Sequence, residues 1–499
     1  MELLLESLVI RRPSTRRVLD AGVRIVVSFA CAAFAGCANH NDRASGYLAD
    51  LEAGRWDAAV ASAIRVADDD TTRNEIIDAL ELGTVQRIAG RYAASDATLA
   101  RAWDSMKRMA DPGSPTFIDT LAAVAVNERG LDYVGTSYDR VMCATLRALD
   151  ALASGDPDSA RVELKRAQFA QEDAEARFAD QIEAARVQMA KNHDDLTRIQ
   201  NDANFQSGFE AAYGDLEARF KPYAGWTNPF TDWLTAVLLH VDGGGSGDRN
   251  RAIDLLRRVR GTLGDNPAVD SDLAFIESGV RSPQTWVILE SGFAPRREEV
   301  SFRIPAFIPE MPFIGIALPK LVQVGGAATG VGIRGGDVTA DTAVICDMGS
   351  VVAHEFQAEL PLITGRAIAS AVAKAAASLA ANLAAQQTEN GWALLATMVA
   401  TNVYGYATTI ADLRTWRTLP RYYAVARIPA PADGRVVIDG EAGRHEIDVP
   451  ADRDAMIVIR SVRAGGPAIT HSFQLTGEPA ALAVAHTIAP VPPSKGPFR

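Results

Sequence analysis

The chain is divided into stretches whose apolar residues recur with a helical period and stretches that resemble β-strands. Residues 45–280 show the helical pattern almost throughout. Residues 284–348 and 421–476 contain short apolar or alternating runs separated by glycine and proline, which predicts strands and turns. Residues 349–420 return to the helical pattern, and residues 477–499, rich in proline and alanine, predict a flexible tail. The pattern therefore predicts an α+β protein whose helical half precedes a β-rich half.

A repeated turn-and-helix pattern is present in the helical half. Gly90 lies in a predicted turn, Ser95 falls where two helices of a hairpin would touch, and Leu99 would fill the space between hairpins. This spacing is typical of tetratricopeptide repeats. The pattern recurs, at uneven intervals, after Gly54, Gly155 and Gly247. We expect a tetratricopeptide-like α-solenoid, whose stacked helix pairs expose a concave surface suited to peptides or proteins. The alternative is that the repeats serve only to hold the chain together.

The stretch between the two β segments predicts a helical insertion. Residues 351–359 predict a short helix that ends before Pro361, because proline interrupts helical hydrogen bonding. Residues 365–387 and 392–413 predict the two helices of an antiparallel hairpin. Residues 392–411 carry no charge and are long enough to span a bilayer, yet they contain several threonines and an asparagine. Burial in a soluble domain is the favoured interpretation, and membrane contact is the alternative.

Glycine-containing turns are predicted between strands of the two β segments. Asp433-Gly434 and Asp439-Gly440 predict hairpin turns. Residues 330–335 satisfy G-x-G-x-x-G, but another strand-like run follows where a dinucleotide site requires a helix. We therefore predict a glycine-rich hairpin there. Because the β segments flank the helical insertion, they predict a single sheet or a sandwich with an inserted helical hairpin.

Composition excludes some functional classes. The 499 residues are 48% hydrophobic and 22% charged, which is close to the globular average and excludes wholesale disorder. The formal charge of −12 argues against a nucleic-acid partner, because such proteins need a basic surface. The acidic balance favours partners that are neutral or basic.

The N-terminal residues predict a secretory signal. Basic residues such as Arg16, Arg17 and Arg24 precede an apolar run at 25–36 that is shorter than the ~20 residues needed to span a bilayer. The run ends at Phe34-Ala35-Gly36-Cys37, which is typical of a bacterial lipoprotein signal whose cysteine becomes lipidated. Residues 1–37 are therefore predicted to be the signal peptide and lipobox, with Cys37 as the lipidation site. Because Ala38 follows the cysteine, the outer membrane is favoured over the inner one.

Two other cysteines remain in the predicted mature chain. Cys143 and Cys346 could form a disulfide in an oxidising periplasm. They lie in different halves of the chain, so two separate buried thiols are the favoured interpretation.

The motifs that could indicate catalysis or metal binding are incomplete. His354-Glu355 would begin a zinc-protease motif, but the second histidine is replaced by Ala358. Residues 243–247 precede a helix as a phosphate loop does, but the following Lys-Ser/Thr is missing. The sequence therefore predicts no catalytic, cofactor or metal-binding residue.

Several runs along the mature chain resemble a family of bacterial lipoproteins with tetratricopeptide-like N-terminal halves. The resemblance rests on Asn228-Pro229-Phe230, Gly155-Asp156, Ala160-Arg161, and the runs 290–295 and 411–420. This sequence departs from the family in its longer N-terminus and in its glycine-rich turn at 243–247. The resemblance implies a lipoprotein of the cell envelope and supplies no activity, so no catalytic residue is transferred.

These observations together predict a function in the cell envelope. We expect a scaffold or protein-binding module that performs no catalysis and is lipid-anchored on the periplasmic face of the outer membrane. Its expected partners are the membrane, through the anchor, and a protein bound at the repeat surface. The alternatives are a hydrolase of peptidoglycan or polysaccharide, with two carboxylates in a deep cleft, and a membrane-inserting or pore-associated protein using residues 365–411.

Overall fold

The computed structural model has helices first and sheets afterwards, so the predicted α+β class and segment order are confirmed. The structure describes residues 39–69, 73–109, 132–189, 193–308, 311–386, 410–441, 443–476 and 484–488.

The N-terminal part consists of helices that pack mostly against their neighbours in the chain. Their bounds are α1 (His40–Glu52), α2 (Trp56–Ala67), α3 (Glu75–Ile88), α4 (Tyr92–Met109), α5 (Ser137–Ala153), α6 (Pro157–Met189), α7 (His193–Gln200), α8 (Ala203–Tyr213), α9 (Leu216–Phe220), α10 (Pro229–Val241), α11 (Ser246–Leu263) and α12 (Pro267–Ser278).

The C-terminal part consists of strands and one long helix. Its elements are β1 (Gln284–Ser291), β2 (Arg296–Ile308), β3 (Met311–Val322), β4 (Gly332–Gly335), β5 (Val338–Asp341), β6 (Ala343–Asp347), α13 (Met348–Gln386), β7 (Tyr422–Pro429), β8 (Arg435–Gly440), β9 (Gly443–Asp448), β10 (Ala455–Ser461), β11 (Ala468–Gln474) and β12 (Val484–Ile488).

Both β segments contribute strands to the two larger sheets. The six-stranded sheet has the order β12-β11-β10-β1-β7-β6, in which β1 and β10 are parallel and the other pairs antiparallel. The four-stranded sheet has the order β5-β4-β8-β9, and β2 pairs with β3 in a separate long hairpin. Because strands from both sides of α13 share each larger sheet, the two β segments fold as one unit.

The six-stranded sheet lies between the helices and the four-stranded sheet. Trp286 and Ile288 of β1 belong to the hydrophobic core shared with the helices, whereas Val287 and Leu289 belong to the core shared with the four-stranded sheet. This alternation follows from the two-residue period of a strand, whose successive side chains point to opposite faces. Consistent with burial on both faces, all eight residues of β1 are buried.

Among the described helices, α3, α5 and α10 are buried on nearly all sides. Helix α10 begins as its sequence predicts, with Asn228 as N-cap and Pro229 in its first turn. The Asn228 side chain accepts the backbone N–H groups of Phe230 and Thr231 at 3.1 and 3.2 Å. Further along, Trp233 packs edge-to-face against Trp286 of the sheet. These buried helices hold the helical layer against the six-stranded sheet.

Residues 411–420 lead into β7 and run along α3. The carboxylate of Glu81 accepts the backbone N–H of Arg417 at 2.7 Å, and the indole N–H of Trp416 donates to Thr84 Oγ1 at 2.9 Å. All four residues are buried. This segment therefore attaches the C-terminal part of the chain to α3, one of its first helices.

The helical insertion differs from its prediction. The predicted break before Pro361 is wrong, because α13 continues through this residue. Proline removes one N–H group, and Gln357, whose carbonyl loses that donor, is exposed to water together with Pro361. Residues 410–413 are not helical, and residues 392–409 of the predicted second helix lie outside the described residues.

Three other local predictions have different outcomes. Residues 330–335 lead into a hairpin, in which β4 pairs with β5, as predicted. Asp439-Gly440 begins the hairpin between β8 and β9, whereas Asp433-Gly434 links one sheet to the other, so a hairpin at that position is wrong. Val484–Ile488 lie in the stretch predicted as a tail, but they form an edge strand paired with β11.

Cys143 and Cys346 are two separate buried thiols, as favoured from the sequence. In the part of the chain that the structure describes, no helix combines the length and the apolar character needed to cross a membrane.

Candidate functional site

A groove opens where the start of α5, the start of α13 and the loop before α10 meet. It is lined by Ser137, Tyr138 and Val141 of α5, Ala174 of α6, residues 225–228 of the loop, and Val351, His354 and Glu355 of α13. About 340 Å³ is free of protein atoms, but this volume includes space that is open to solvent. The groove is therefore open to solvent and is not an enclosed cavity.

Glu355 supplies the acidic group of the groove. Its carboxylate accepts the backbone N–H of Ser137 at 2.7 Å and that of Tyr138 at 3.1 Å, so it satisfies two of the free donors at the start of α5. Burial raises the pKa of Glu355 to about 8, and the charge of Glu359 acts in the same direction, while the two N–H groups oppose it. At neutral pH this carboxyl group therefore retains a proton much more readily than an exposed glutamate does.

Trp226 and His354 form the aromatic wall of the groove. Their ring centroids are 5.0 Å apart in an edge-to-face arrangement, and Trp226 also contacts Phe178 of α6 at 5.2 Å. Burial lowers the pKa of His354, which favours its neutral imidazole. Trp226 is only partly buried, which leaves part of its ring accessible from the groove.

The loop before α10 adds polar groups to the same place. Thr227 contributes a hydroxyl oxygen that is buried and has no hydrogen-bond partner among the described residues. The backbone N–H of Asn228 donates to Gln171 Oε1 of α6 at 2.5 Å. The loop is therefore attached to α6 on one side and to α10 on the other, which holds Trp226 and Thr227 in position.

The groove offers binding groups rather than a pair of catalytic carboxylates. Glu355 is the single acidic residue that lines it. Across the described residues, no group of three His, Cys, Asp or Glu side chains is placed to hold a metal ion. One carboxyl group beside an aromatic wall is suited to hydrogen bonding and to the recognition of a positive charge.

A second buried polar group lies at the interface between helices and sheet. Arg87 of α3 donates to Glu290 of β1 at 2.9 Å, and its Nε lies 3.5 Å from Asp150 of α5. Arg460 of β10 donates to the carbonyl oxygens of Glu290 and Gly292. Burial raises the pKa of Asp150 to about 8, although the positive charge of Arg87 opposes it. These side chains are fully enclosed, so their role is to hold the layers together.

The residues that the sequence analysis considered as possible sites lie in different parts of the structure. Cys37, the predicted lipidation site, lies outside the described residues. Of the glycine-rich run at 243–247, the first three residues lead into α11, which begins at Ser246, and most of the run at 330–335 is strand β4 itself. His354 and Glu355, considered only as part of an incomplete zinc motif, both line the groove.

Sequence reasoning missed the groove as a site. The sequence feature that could have indicated a site there was Glu355. It occupies an inward position of α13 between the buried residues Val352 and Phe356. A carboxyl group at a position that the helical period assigns to the core is uncommon unless it is paired or functional. The contribution of Trp226 and Ser137 could not be anticipated, because they lie far from Glu355 in the chain.

Comparison with known proteins provides no relative from which a role could be transferred: no protein-family model, curated protein or solved structure matches this chain.

Proposed function

We propose that this chain is a lipid-anchored scaffold or protein-binding module of the bacterial cell envelope, without catalytic activity, on the periplasmic face of the outer membrane. In this proposal its helices are a tetratricopeptide-like solenoid, and its sheets a sandwich that carries a helical insertion. Cys37 is the lipidated residue.

The observation that carries the proposal is the direct connection between the lipobox and a docked helix. Ala38 alone separates Cys37 from Asn39, whose side chain caps α1. The side-chain amide of Asn41 donates to the carbonyl of Arg297 at 2.9 Å, and His40 Nε2 lies 3.0 Å from the carbonyl of Thr415. A lipid on Cys37 would therefore hold the folded body close to the membrane surface, as suits a scaffold.

The alternatives have less support. A glycoside hydrolase needs two carboxyl groups about 5–10 Å apart across the scissile bond, and the groove provides Glu355 alone. Membrane insertion through residues 365–411 depends in part on residues outside the described ranges. Both alternatives stay predictions.

The test combines lipid labelling with crosslinking in the native host. Wild type should incorporate a fatty-acid probe and give a discrete crosslinked product with another envelope protein. Cys37→Ser should remain an unlipidated precursor and lose both signals. Cys31→Ser, which changes the other cysteine of the predicted signal, should behave as wild type.

Each readout overturns a different part of the proposal. Unchanged probe incorporation in Cys37→Ser would refute the anchor. Normal lipid labelling of wild type without any crosslinked protein partner would refute the scaffold role.

A further inference from the structure

Glu355 is a buried carboxyl group without a cation in contact. In the part of the chain that the structure describes, both of its hydrogen bonds come from backbone N–H groups and it forms no ion pair within 4 Å. The neighbouring guanidinium groups are engaged elsewhere, since Arg140 donates to the carbonyl of Met106 and Arg297 pairs with Glu359. Buried acidic side chains are usually paired, so the missing partner is informative.

The groove brings this carboxyl group and an aromatic ring together. Glu355 and Trp226 both line it, so a cation that entered would meet a carboxylate and an aromatic ring together. The unpartnered hydroxyl of Thr227 could accept a further N–H donor. A drug-sized ligand needs a well-enclosed pocket of roughly 300–1,000 Å³, which a groove that is open to solvent does not provide, whereas the tip of one side chain needs far less.

We propose that this groove binds a positively charged side chain, arginine or lysine, presented by a protein partner, with Glu355 as its counter-charge and Trp226 as its aromatic contact. The inference rests on the proposed scaffold function, because it assumes a protein partner, and it specifies the chemistry of that partner. The acidic balance of the whole chain also favours a basic partner.

Binding of a cation should displace a proton. The titratable and charged groups around Glu355 are Glu359 and His354 on α13, Tyr138, Asp139 and Arg140 on α5, and Arg297 on β2. Burial raises the pKa of Glu355 to about 8, so at pH 6 the carboxyl is mostly protonated. A cation binds the ionised form, so its affinity should rise about tenfold per pH unit between about pH 6 and pH 8 and then level off.

The test uses ethylguanidinium as the probe and ethylurea as its neutral counterpart of similar shape. Titrations are followed by the indole N–H resonances of the ¹⁵N-labelled full chain, and Trp226→Phe identifies the Trp226 signal. Ethylguanidinium should shift this resonance in a saturable manner, more strongly at pH 8 than at pH 6. Ethylurea should leave it unchanged.

Variants distinguish the effect of the Glu355 charge on binding from its structural role at the start of α5. Glu355→Gln keeps an oxygen that can accept an N–H of Ser137 or Tyr138, so the fold should survive, but affinity should fall at least about tenfold. Glu277→Gln removes an exposed carboxylate elsewhere and should bind as wild type does. Trp226→Leu lacks the reporter indole, so its binding is followed by calorimetry; it should bind more weakly although the charge of the groove is unchanged.

Three outcomes would overturn the inference: no saturable shift with ethylguanidinium, an equal shift with ethylurea, or equal affinity in Glu355→Gln. Because the probe is added to purified protein, these outcomes do not depend on lipidation or on crosslinking. A failure here with normal results for Cys37 would leave the scaffold proposal intact.

Discussion

Arg87 shows how a single buried charge joins three elements of the fold. It lies between Glu290 of β1 and Asp150 of α5, and all three side chains are almost fully buried. Taking such charges out of water is costly, and the cost is recovered only while every partner remains in place. The cluster therefore makes the packing of helices on the sheet sensitive to the loss of any one member.

Replacing Arg87 by methionine is expected to destabilise the protein by about 3–5 kcal/mol, because Glu290 and Asp150 lose their shared cation in the interior. The measurement is urea unfolding followed by circular dichroism. Arg91→Met is the matched control, since its ion pair with Asp57 is exposed and should contribute less than about 1 kcal/mol. Similar losses in the two variants would contradict this account of the cluster.

At the scale of the helix pair, Gly83 allows α3 and α4 to approach closely. A Cβ atom at this position would lie 2.6 Å from Cγ and 2.7 Å from Cδ2 of Leu99, closer than real carbon atoms approach. By contrast, Gly261 of α11 has open space where its Cβ would be.

Alanine substitutions should therefore change stability in opposite directions. Gly83→Ala is expected to cost about 1–3 kcal/mol, because Leu99 must move in a packed core. Gly261→Ala should stabilise by about 0.5–1 kcal/mol, because glycine loses more conformational freedom in a helix than alanine does. Thermal unfolding of both variants checks the pair, and a shift of Tm in the same direction would refute the close-contact argument.

At the scale of the whole molecule, helices and sheet share one hydrophobic core. Trp233 of α10, Trp286 of β1 and Trp416 of the segment along α3 all belong to it. The inner helices α3, α5 and α10 are buried, so this face of the helical layer is covered by the protein's own sheet. A partner would consequently meet other surfaces, among them the groove between α5 and α13.

A shared core predicts that helices and sheets unfold together. Far-ultraviolet circular dichroism, which reports mainly the helices, and tryptophan fluorescence, which reports partly on this interface, should give the same single transition in urea. Two separate transitions, with the helical signal lost at a different urea concentration from the fluorescence signal, would show that the halves are independent.

Local predictions succeeded where neighbouring residues decide the structure. The cap and proline that start α10, the turn that pairs β4 with β5 and the strand-like runs of the β segments all depend on a few adjacent residues. The prediction of a helix break before Pro361 was wrong for a tertiary reason. The local effect of this proline disfavours a helix, but the packing of α13 against β3 and α9 outweighs that cost.

The sequence by itself determined the order of helical and β segments and the class of the fold, because periodicity and turn chemistry are local properties. The anchor at Cys37 stays a prediction from an equally local signal pattern. Only the tertiary structure decided that β1 lies parallel to β10 and that Glu355 reaches the start of α5, 218 residues away from Ser137. Such contacts form because burial and hydrogen bonding pair an apolar face or a backbone donor with residues that are distant in the chain. The groove beside Trp226 exists for that reason.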